Sequence, residues 1–371
     1  MRVLHINTDF LYTKLYNLMY EGLEKGTSSQ IVYSATKKSK INAPFISEKY
    51  KTIISPILNK KDSFFFKSRI TKTYKDIKSK ISLNEVDIIH AHYMFTDGAL
   101  ALKIYEESQI PYIVAIRNTD LNLYYKYFPH LRKIGEKILF NAKKIIVITP
   151  SYKNKILQFY SPIKDILNSK IELLPNGINE FWLREKILPK KNKIEKTIKF
   201  LFVGEITKNR NLKKTIDLLN NLSDYYDVKF TVIGEKLDGF KELKEIIKKY
   251  NWIELIEPIY DKSKLKKYYR DNDVFIMLSK KETFGLVYIE SLSQGTPIIY
   301  TKGEGIDGYF HDVQVGFTFD FNNCGFLTFK KKIELIFKDY NQISNNCINE
   351  SKSFNWNELS KRYIKIYNNL M

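Results

Sequence analysis

Apolar and polar positions fall into a strand–helix rhythm that runs, stops and starts again. Arg2-Val-Leu-His-Ile-Asn7 reads as a strand, and Leu15, Leu18, Met19 and Leu23 then recur at helical spacing, predicting a helix over 13–25. Gln30-Ile-Val-Tyr-Ser34 predicts a second strand. Further strands are expected at 86–92, 111–116, 144–149 and 171–174, with helices at 96–108, 124–141 and 151–159 between them. The stretch 180–197 is polar, lysine-rich and contains Pro189, which reads as a linker. The rhythm restarts with strands at 197–203, 228–233, 252–256, 273–278, 297–300 and 316–319, and helices at 211–222, 240–250, 263–270 and 326–339. A last helix over 356–369 carries Leu359, Tyr363, Ile364 and Tyr367 on one stripe. Alternating strands and helices predict α/β domains built on parallel sheets. The expected division is a first Rossmann-like domain over 1–180, a linker over 181–197, a second over 198–353 and a terminal segment over 354–371. Two such units of similar size imply facing domains with a ligand cleft between them.

Composition narrows this picture. A chain of 371 residues has room for two cores, and 44% hydrophobic residues is ordinary for a globular protein. Cys324 and Cys347 form no motif, which argues against a disulfide scaffold or zinc site and fits a reducing cytoplasm. Met1-Arg-Val-Leu-His-Ile-Asn7 is too short and too soon polar for a signal peptide, and no apolar run approaches the roughly 20 residues of a membrane span. The expectation is a soluble or peripheral cytoplasmic protein.

The net charge of +20 is uneven, for residues 37–80 hold thirteen Lys/Arg against three Asp/Glu. Such a patch either seeks an anionic surface (acidic lipid, nucleic acid or anionic glycan) or is a solvated lysine face. Within it, residues 63–80 predict a basic amphipathic helix with Phe66, Ile70, Tyr74, Ile77 and Ile81 as its stripe. That stripe suits a membrane surface or a protein core equally well.

Candidate chemistry centres on residues 278–297. The predicted strand Asp273–Leu278 runs into a polar loop and a short helix carrying Glu282 and Glu290, eight positions apart. Eight residues is a little over two helical turns, so both carboxylates fall near one face. The helix mouth between them offers unpaired N–H groups and the positive end of the helix dipole, a seat for phosphate. An anion seat flanked by two carboxylates suits a sugar nucleotide. Three glycines within Thr301–Phe310 are consistent with backbone packed close to a ligand. Loops beyond the carboxyl ends of parallel strands bind ligands, which makes Arg117 and Asp120 candidates too; an internal ion pair or helix cap is the plainer reading of both. His90 and His92 could hold a metal, but no third ligand is evident nearby, and a strand-end loop facing a cleft is preferred. Asp271-Asn-Asp273 sits before a strand, on the wrong end for a metal site, and reads as turn chemistry. No G-x-G-x-x-G follows the first strand, and no nucleic-acid motif is present.

Taken in order, these segments resemble the retaining family-four glycosyltransferases of the GT-B fold. Glu282-Thr-Phe-Gly-Leu-Val-Tyr-Ile-Glu290 is similar to their Glu-x7-Glu motif, and Gln294-Gly-Thr-Pro-Ile-Ile299 to the segment that follows it. Phe202-Val-Gly204 with Arg210 resembles their phosphate loop. Leu174-Pro-Asn-Gly-Ile178, Phe354-Asn-Trp356 and Ile88-Ile-His-Ala-His92 resemble other family segments, so the likeness spans the chain.

The resemblance implies a C-terminal helix crossing back to the first domain, a nucleoside-diphosphate sugar as donor, and a glycan or lipid-linked acceptor, without cofactor or metal. It implies that Glu282 holds donor sugar hydroxyls and Glu290 the ribose. Phe284, Gly285 and Leu286, beside Thr283, would cradle the diphosphate by their N–H groups. Arg210, with Lys208 and the loop at Gly204, would neutralise the leaving group, and Ile259 would line the base pocket. Three positions depart from the family pattern: Glu205 replaces a frequent Arg, Arg210 a frequent Lys, and Arg117 a frequent His. An arginine cannot serve as a base at neutral pH, so Arg117 is expected to bind a phosphate. The expected role is in bacterial surface polysaccharide synthesis, with residues 37–80 facing an anionic membrane surface at the inner face of the plasma membrane. Another GT-B enzyme (a sugar-nucleotide epimerase or an inverting transferase) and a basic polyanion-binding module are the alternatives.

Overall fold

The computed structural model describes residues 1–13, 15–37, 47–190, 197–238, 240–310, 313–323 and 325–371. Residues 38–46 of the basic stretch, 191–196 of the expected linker, Lys14 and Cys324 lie outside the described residues. The chain divides into two compact units. One comprises Met1–Ile148, Tyr152–Gly177 and Trp356–Met371; the other comprises Thr149–Ser151 and Ile178–Asn355.

The first unit holds seven strands: β1 (Arg2–Ile6), β2 (Ser29–Lys37), β3 (Lys51–Leu58), β4 (Ile88–Ala91), β5 (Tyr112–Ile116), β6 (Lys144–Val147) and β7 (Ile171–Leu173). They form one parallel sheet in the order β3-β2-β1-β4-β5-β6-β7, so the strand order reverses between β1 and β4. β4 and β5 are buried along their whole length, as parallel strands covered on both faces require. Alternate residues feed two cores. Leu4 and Ile6 join one cluster with the helices Phe66–Lys80, Thr96–Ser108 and Arg132–Asn141. Val3 joins the other, with the helices Leu15–Leu23 and Trp356–Asn368. A Cβ at Gly22 would meet Ser360 Oγ at 2.1 Å, so glycine is what lets those two helices close on each other.

The second unit repeats the plan with β8 (Thr197–Val203), β9 (Asp227–Ile233), β10 (Ile253–Ile256), β11 (Val274–Met277), β12 (Ile298–Thr301) and β13 (Gly316–Phe319). Its parallel order, β10-β9-β8-β11-β12-β13, reverses between β8 and β11. Asp273 Oδ2 accepts the Lys199 backbone N–H at 2.8 Å, so the Asp-x-Asp segment serves strand-end chemistry.

Four local expectations change. β3 runs where no strand was expected; it contains Pro56 and lies at the sheet edge, the place a strand tolerates proline. The helix expected over 124–141 is broken into a π-helical turn at Asp120–Tyr125, a 3-10 turn at Pro129–Leu131 and a helix from Arg132, because Pro129 lacks an N–H. Tyr340–Ser351 forms an additional helix. Residues 178–190 are packed on the second unit: Trp182 is buried edge-on against Tyr269 (5.6 Å), and Lys190 N–H donates to Ser344 Oγ (2.8 Å). Among the described residues, no helix is long and apolar enough to cross a membrane. The basic amphipathic helix Phe66–Lys80 buries Ile70, Tyr74 and Ile77 in the core, which decides its stripe in favour of packing.

Candidate functional site

In an open α/β sheet the ligand crevice opens where the strand order reverses. In the second unit that point lies between β8 and β11. β8 is followed by Gly204, whose φ of +149° is a conformation glycine adopts freely. The loop that follows closes in a 3-10 turn, Lys208–Arg210, and a left-handed Asn211 (φ 55°). Asn209 staples this loop to the one after β11. Its Nδ2 donates to Lys281 O (2.8 Å), its Oδ1 accepts Lys281 N–H (3.1 Å), and its backbone carbonyl accepts Lys280 N–H (2.8 Å).

The staple sets Arg210 over Glu282. Arg210 Nη1 hydrogen-bonds Ser279 Oγ at 3.2 Å and forms an ion pair with Glu282 Oε2. The other carboxylate oxygen, Oε1, turns back to accept Thr283 N–H (2.9 Å) and Phe284 N–H (3.4 Å). Glu282 therefore occupies the start of the anion seat and engages its cation. Behind it, Glu304 Oε2 accepts Glu282 N–H (3.0 Å), and Gly305 N–H donates to Glu282 O (2.8 Å). A Cβ at Gly305 would stand 3.0 Å from Glu282 Cγ, at a φ of +57°. The glycine loop thus packs on the glutamate.

Gly285, at φ +82°, is the N-cap of the helix Leu286–Ser293, and no side chain caps that mouth. Glu290 lies within the helix, partly buried, and accepts the Tyr269 hydroxyl at 3.0 Å. Burial pushes its carboxyl up to about 7, with the tyrosine hydrogen bond acting the other way. Ile259 follows β10 on the loop at the same, carboxyl, end of the sheet and is partly buried. Lys208 lines a cavity of about 200 Å³ with Thr207, Asn211, Leu212 and Lys280, and Arg210 is not in that lining. The structure thus brings together Gly204, Arg210, Glu282, Thr283, Phe284, Gly285 and Leu286, with Glu290 deeper in the helix. Sequence reasoning passed over Asn209, Ser279 and Glu304, which hold Arg210 and Glu282 in place. Asn209 lies 72 positions from its partner, and its one local signal is an Asn beside the basic pair Lys208 and Arg210.

In the first unit Arg117 and Asp120 lie just past β5. Asp120 takes the capping role: its oxygens accept the N–H groups of Met94 (3.0 Å), Phe95 (3.0 Å) and Arg117 (2.8 Å). Burial pushes its carboxyl up to about 6, against those three donors. Arg117 is 7% exposed, donates to Asn176 Oδ1 (3.2 Å), and leaves its buried Nε without a hydrogen-bond partner.

His90 and His92 differ from expectation. Both are fully buried rather than facing a cleft, and a third histidine joins them because β1 pairs with β4 in the register His5↔His90. His5 Nδ1 lies 3.2 Å from His92 Nε2, His5 Nε2 3.2 Å from Gln30 Oε1, and His90 Nδ1 2.7 Å from the Tyr367 hydroxyl. The rings of His90 and His92 stack at 4.0 Å and 23°, and one ring nitrogen from each of the three histidines lies within 4.8 Å of the others, so the third ligand that the sequence did not show is supplied by His5. Burial pushes all three toward the neutral form, His5 down to about 3.

Known proteins locate the chain further. Residues 25–180 match the family model described as Glycosyltransferase Family 4, and residues 184–354 match that of Glycosyl transferases group 1. An uncharacterised glycosyltransferase of Methanocaldococcus jannaschii is 26% identical over 309 residues, 82% of this chain and 81% of the relative. Among solved structures, a lipopolysaccharide outer core galactosyltransferase in its apo form superposes with a TM-score of 0.76 at 14% identity, over 100% of this chain and 99% of that one. An Anabaena protein solved in complex with UDP superposes at 0.74 and 12% identity, over 100% of both chains. Two family models in tandem on two parallel-sheet units, with the Glu282–Glu290 segment at the second switch point, place the chain: it belongs to glycosyltransferase family four and has the GT-B fold.

Proposed function

We propose that this glycosyltransferase moves a sugar, with retention of anomeric configuration, from a nucleoside-diphosphate sugar to a glycan or lipid-linked acceptor. It does so without a metal ion, at the inner face of the plasma membrane, in bacterial surface polysaccharide synthesis. The observation that carries this reading is the Arg210–Glu282 pair set beneath an uncapped helix mouth at the switch point of the second sheet. The Anabaena neighbour's UDP supports a nucleotide donor, and the lipopolysaccharide galactosyltransferase supports a surface glycan as product.

The chemistry follows from charge. Breaking the bond between the anomeric carbon and the diphosphate oxygen leaves negative charge on the nucleoside diphosphate. Arg210 and the N–H groups at Phe284, Gly285 and Leu286 stabilise it, as preorganised donors do in a water-poor site. Entry of the diphosphate draws Arg210 and Phe284 N–H away from Glu282, whose freed carboxylate turns to the sugar hydroxyls. Glu290 accepts the ribose hydroxyls, Ile259 packs on the base, and Gly204 and Thr283 leave room for the phosphates. The acceptor hydroxyl attacks on the face the leaving group departs from, and its proton passes to the leaving phosphate oxygen. Arg117 binds an acceptor phosphate, and Asp120 holds the loop that carries it.

The test is a thermal-shift panel of nucleoside-diphosphate sugars followed by NMR of the product. The expected result is a stabilising ligand and a glycoside with the donor's anomeric configuration. An inverted product would overturn retention. Free nucleoside diphosphate without a glycoside would point to the epimerase chemistry instead.

A further inference from the structure

The first unit has its own switch point, between β1 and β4, and a cavity of about 270 Å³ opens there. Thr8, Asp9, Asn59, Arg69, Thr96 and Tyr124 are among its lining residues. Three loops supply most of this wall, and each leaves the carboxyl end of a strand: the loop after β1, the loop after β3 and the loop after β5.

These same loops carry apolar side chains that the protein does not cover. Of the fifteen large apolar side chains exposed among the described residues, five stand here: Tyr12, Phe64, Phe65, Leu123 and Tyr127. Phe64 is 84% exposed and Phe65 is 62% exposed, side by side ahead of the helix Phe66–Lys80. An adjacent bare phenylalanine pair is costly in water and marks a contact surface.

The charge around the pair is of one sign. Between Asn59 and Lys75 the chain has six Lys/Arg and one acid. That acid, Asp62, is 6% exposed; it accepts Asn59 N–H at 2.6 Å and pairs with Lys72 at 3.2 Å, so it gives little negative field outward. Lys60, Lys61 and Lys67 are exposed and flank the phenylalanine pair in the chain, and Lys126 lies over the Tyr127 ring at 5.2 Å. Exposed aromatics set among cations match the boundary of an anionic bilayer: rings enter the acyl–headgroup region while ammonium groups meet lipid phosphates. A folded acidic protein would meet the cations but would leave the two phenylalanines without a compliant apolar phase.

We infer that the carboxyl end of the first sheet, through Phe64, Phe65, Leu123 and Tyr127 with Lys60, Lys61, Lys67 and Lys126, docks on an anionic lipid bilayer. The surface is the turn ahead of the basic helix, since the stripe of the helix itself is spent on the core. Docking there turns the 270 Å³ cavity, with Arg69 in its wall, toward the headgroups. The acceptor is then lipid-borne and enters by its polar head. That consequence rests on the transferase reading; the docking surface does not.

Co-sedimentation tests it with the full chain and two kinds of vesicle, phosphatidylcholine alone and an equimolar mixture with phosphatidylglycerol. The expected result is binding to the mixture and not to phosphatidylcholine, weakened by added salt. Phe64→Ser with Phe65→Ser, and separately Lys60→Glu with Lys61→Glu, should each weaken it about tenfold. Both pairs sit on the exposed turn, so their melting temperatures should match the wild type. Protein left in the supernatant with both vesicles, equal binding to both, or undiminished binding by the phenylalanine variant would each overturn the proposal. Retention of RNA without vesicle binding would overturn it in favour of nucleic acid. Vesicle binding by a protein that no nucleoside-diphosphate sugar stabilises would uphold the surface and sink the transferase site.

Discussion

The two switch points of this protein share a topology and differ in what fills them. In the second unit the space between β8 and β11 holds an arginine–glutamate pair at an uncapped helix mouth. In the first, the strands β1 and β4 bring three buried neutral histidines together, closed over by the Tyr20 and Tyr367 hydroxyls. A parallel sheet gathers side chains at the point where its order reverses; it does not dictate their chemistry. Charge held by neighbours that a ligand can displace suits one of them to the proposed transfer. Neutral groups held by burial make the other a polar core on which the surrounding loops rest.

Breaking the charged pair should have the largest effect. Arg210→Ala is expected to lower kcat by about 10²–10³-fold, the loss seen when one preorganised donor to a developing anion is removed. Glu282→Gln should separate binding from turnover. It removes the carboxylate that competes for Arg210 and Phe284 N–H, so nucleoside diphosphate should bind at least as tightly while transfer falls steeply. Titration calorimetry beside steady-state transfer reads both. A Glu282→Gln enzyme that transfers normally, or that loses nucleoside-diphosphate binding in step with turnover, would remove Glu282 from the sugar.

Breaking the neutral trio should show in stability, with acid as the lever. Burial holds the folded-state values of His5, His90 and His92 below the ordinary 6.5, so the unfolded chain takes up protons that the folded chain refuses. Their contribution is present above about 6.5 and is lost as pH falls from there toward the folded values. At pH 5 His5, held down to about 3, should cost about 2 kcal/mol relative to pH 7, with His90 and His92 acting in the same direction. His5→Asn should flatten the fall by about that amount, whatever it does to stability at pH 7. Urea unfolding at the two pH values measures it, and an unchanged slope would mean that the trio is solvated.

How legible each half was in the sequence follows from how local its determinants are. The α/β rhythm was readable because strands such as Tyr112–Ile116 and Val274–Met277 are continuous apolar runs between polar turns. The Glu282–Glu290 segment was readable because loop, glycine and helix are contiguous. β3 was hidden by Pro56 and the lysines around it, and Tyr340–Ser351 by four asparagines that are poor helix formers, although Tyr340, Ile343 and Cys347 are buried. His5 escaped notice because its partner His92 is 87 positions away and strand register alone joins them. The amphipathic stripe at 66–81 was ambiguous in principle: a core and a membrane ask for the same spacing, and packing partners alone decide.

The smallest effect expected is at Glu290, and its sign is opposite to that of the histidines. Its carboxyl titrates near 7 in the folded chain, above the ordinary 4.5, so between those values the folded state holds a proton that the unfolded state has released. The stabilisation is full below about 4.5 and is lost as pH rises through 7. Ribose binding runs the other way. Two hydroxyl donors are best met by an ionised carboxylate, so nucleotide affinity should rise as pH passes 7, by about tenfold or less. Binding below pH 7 should then release a proton, which calorimetry in buffers of different ionisation enthalpy detects. Glu290→Gln should flatten the stability slope and the affinity slope together. If affinity kept its pH dependence in that variant while the stability slope vanished, the ribose would belong to another group and Glu290 would be only a buried acid on the helix.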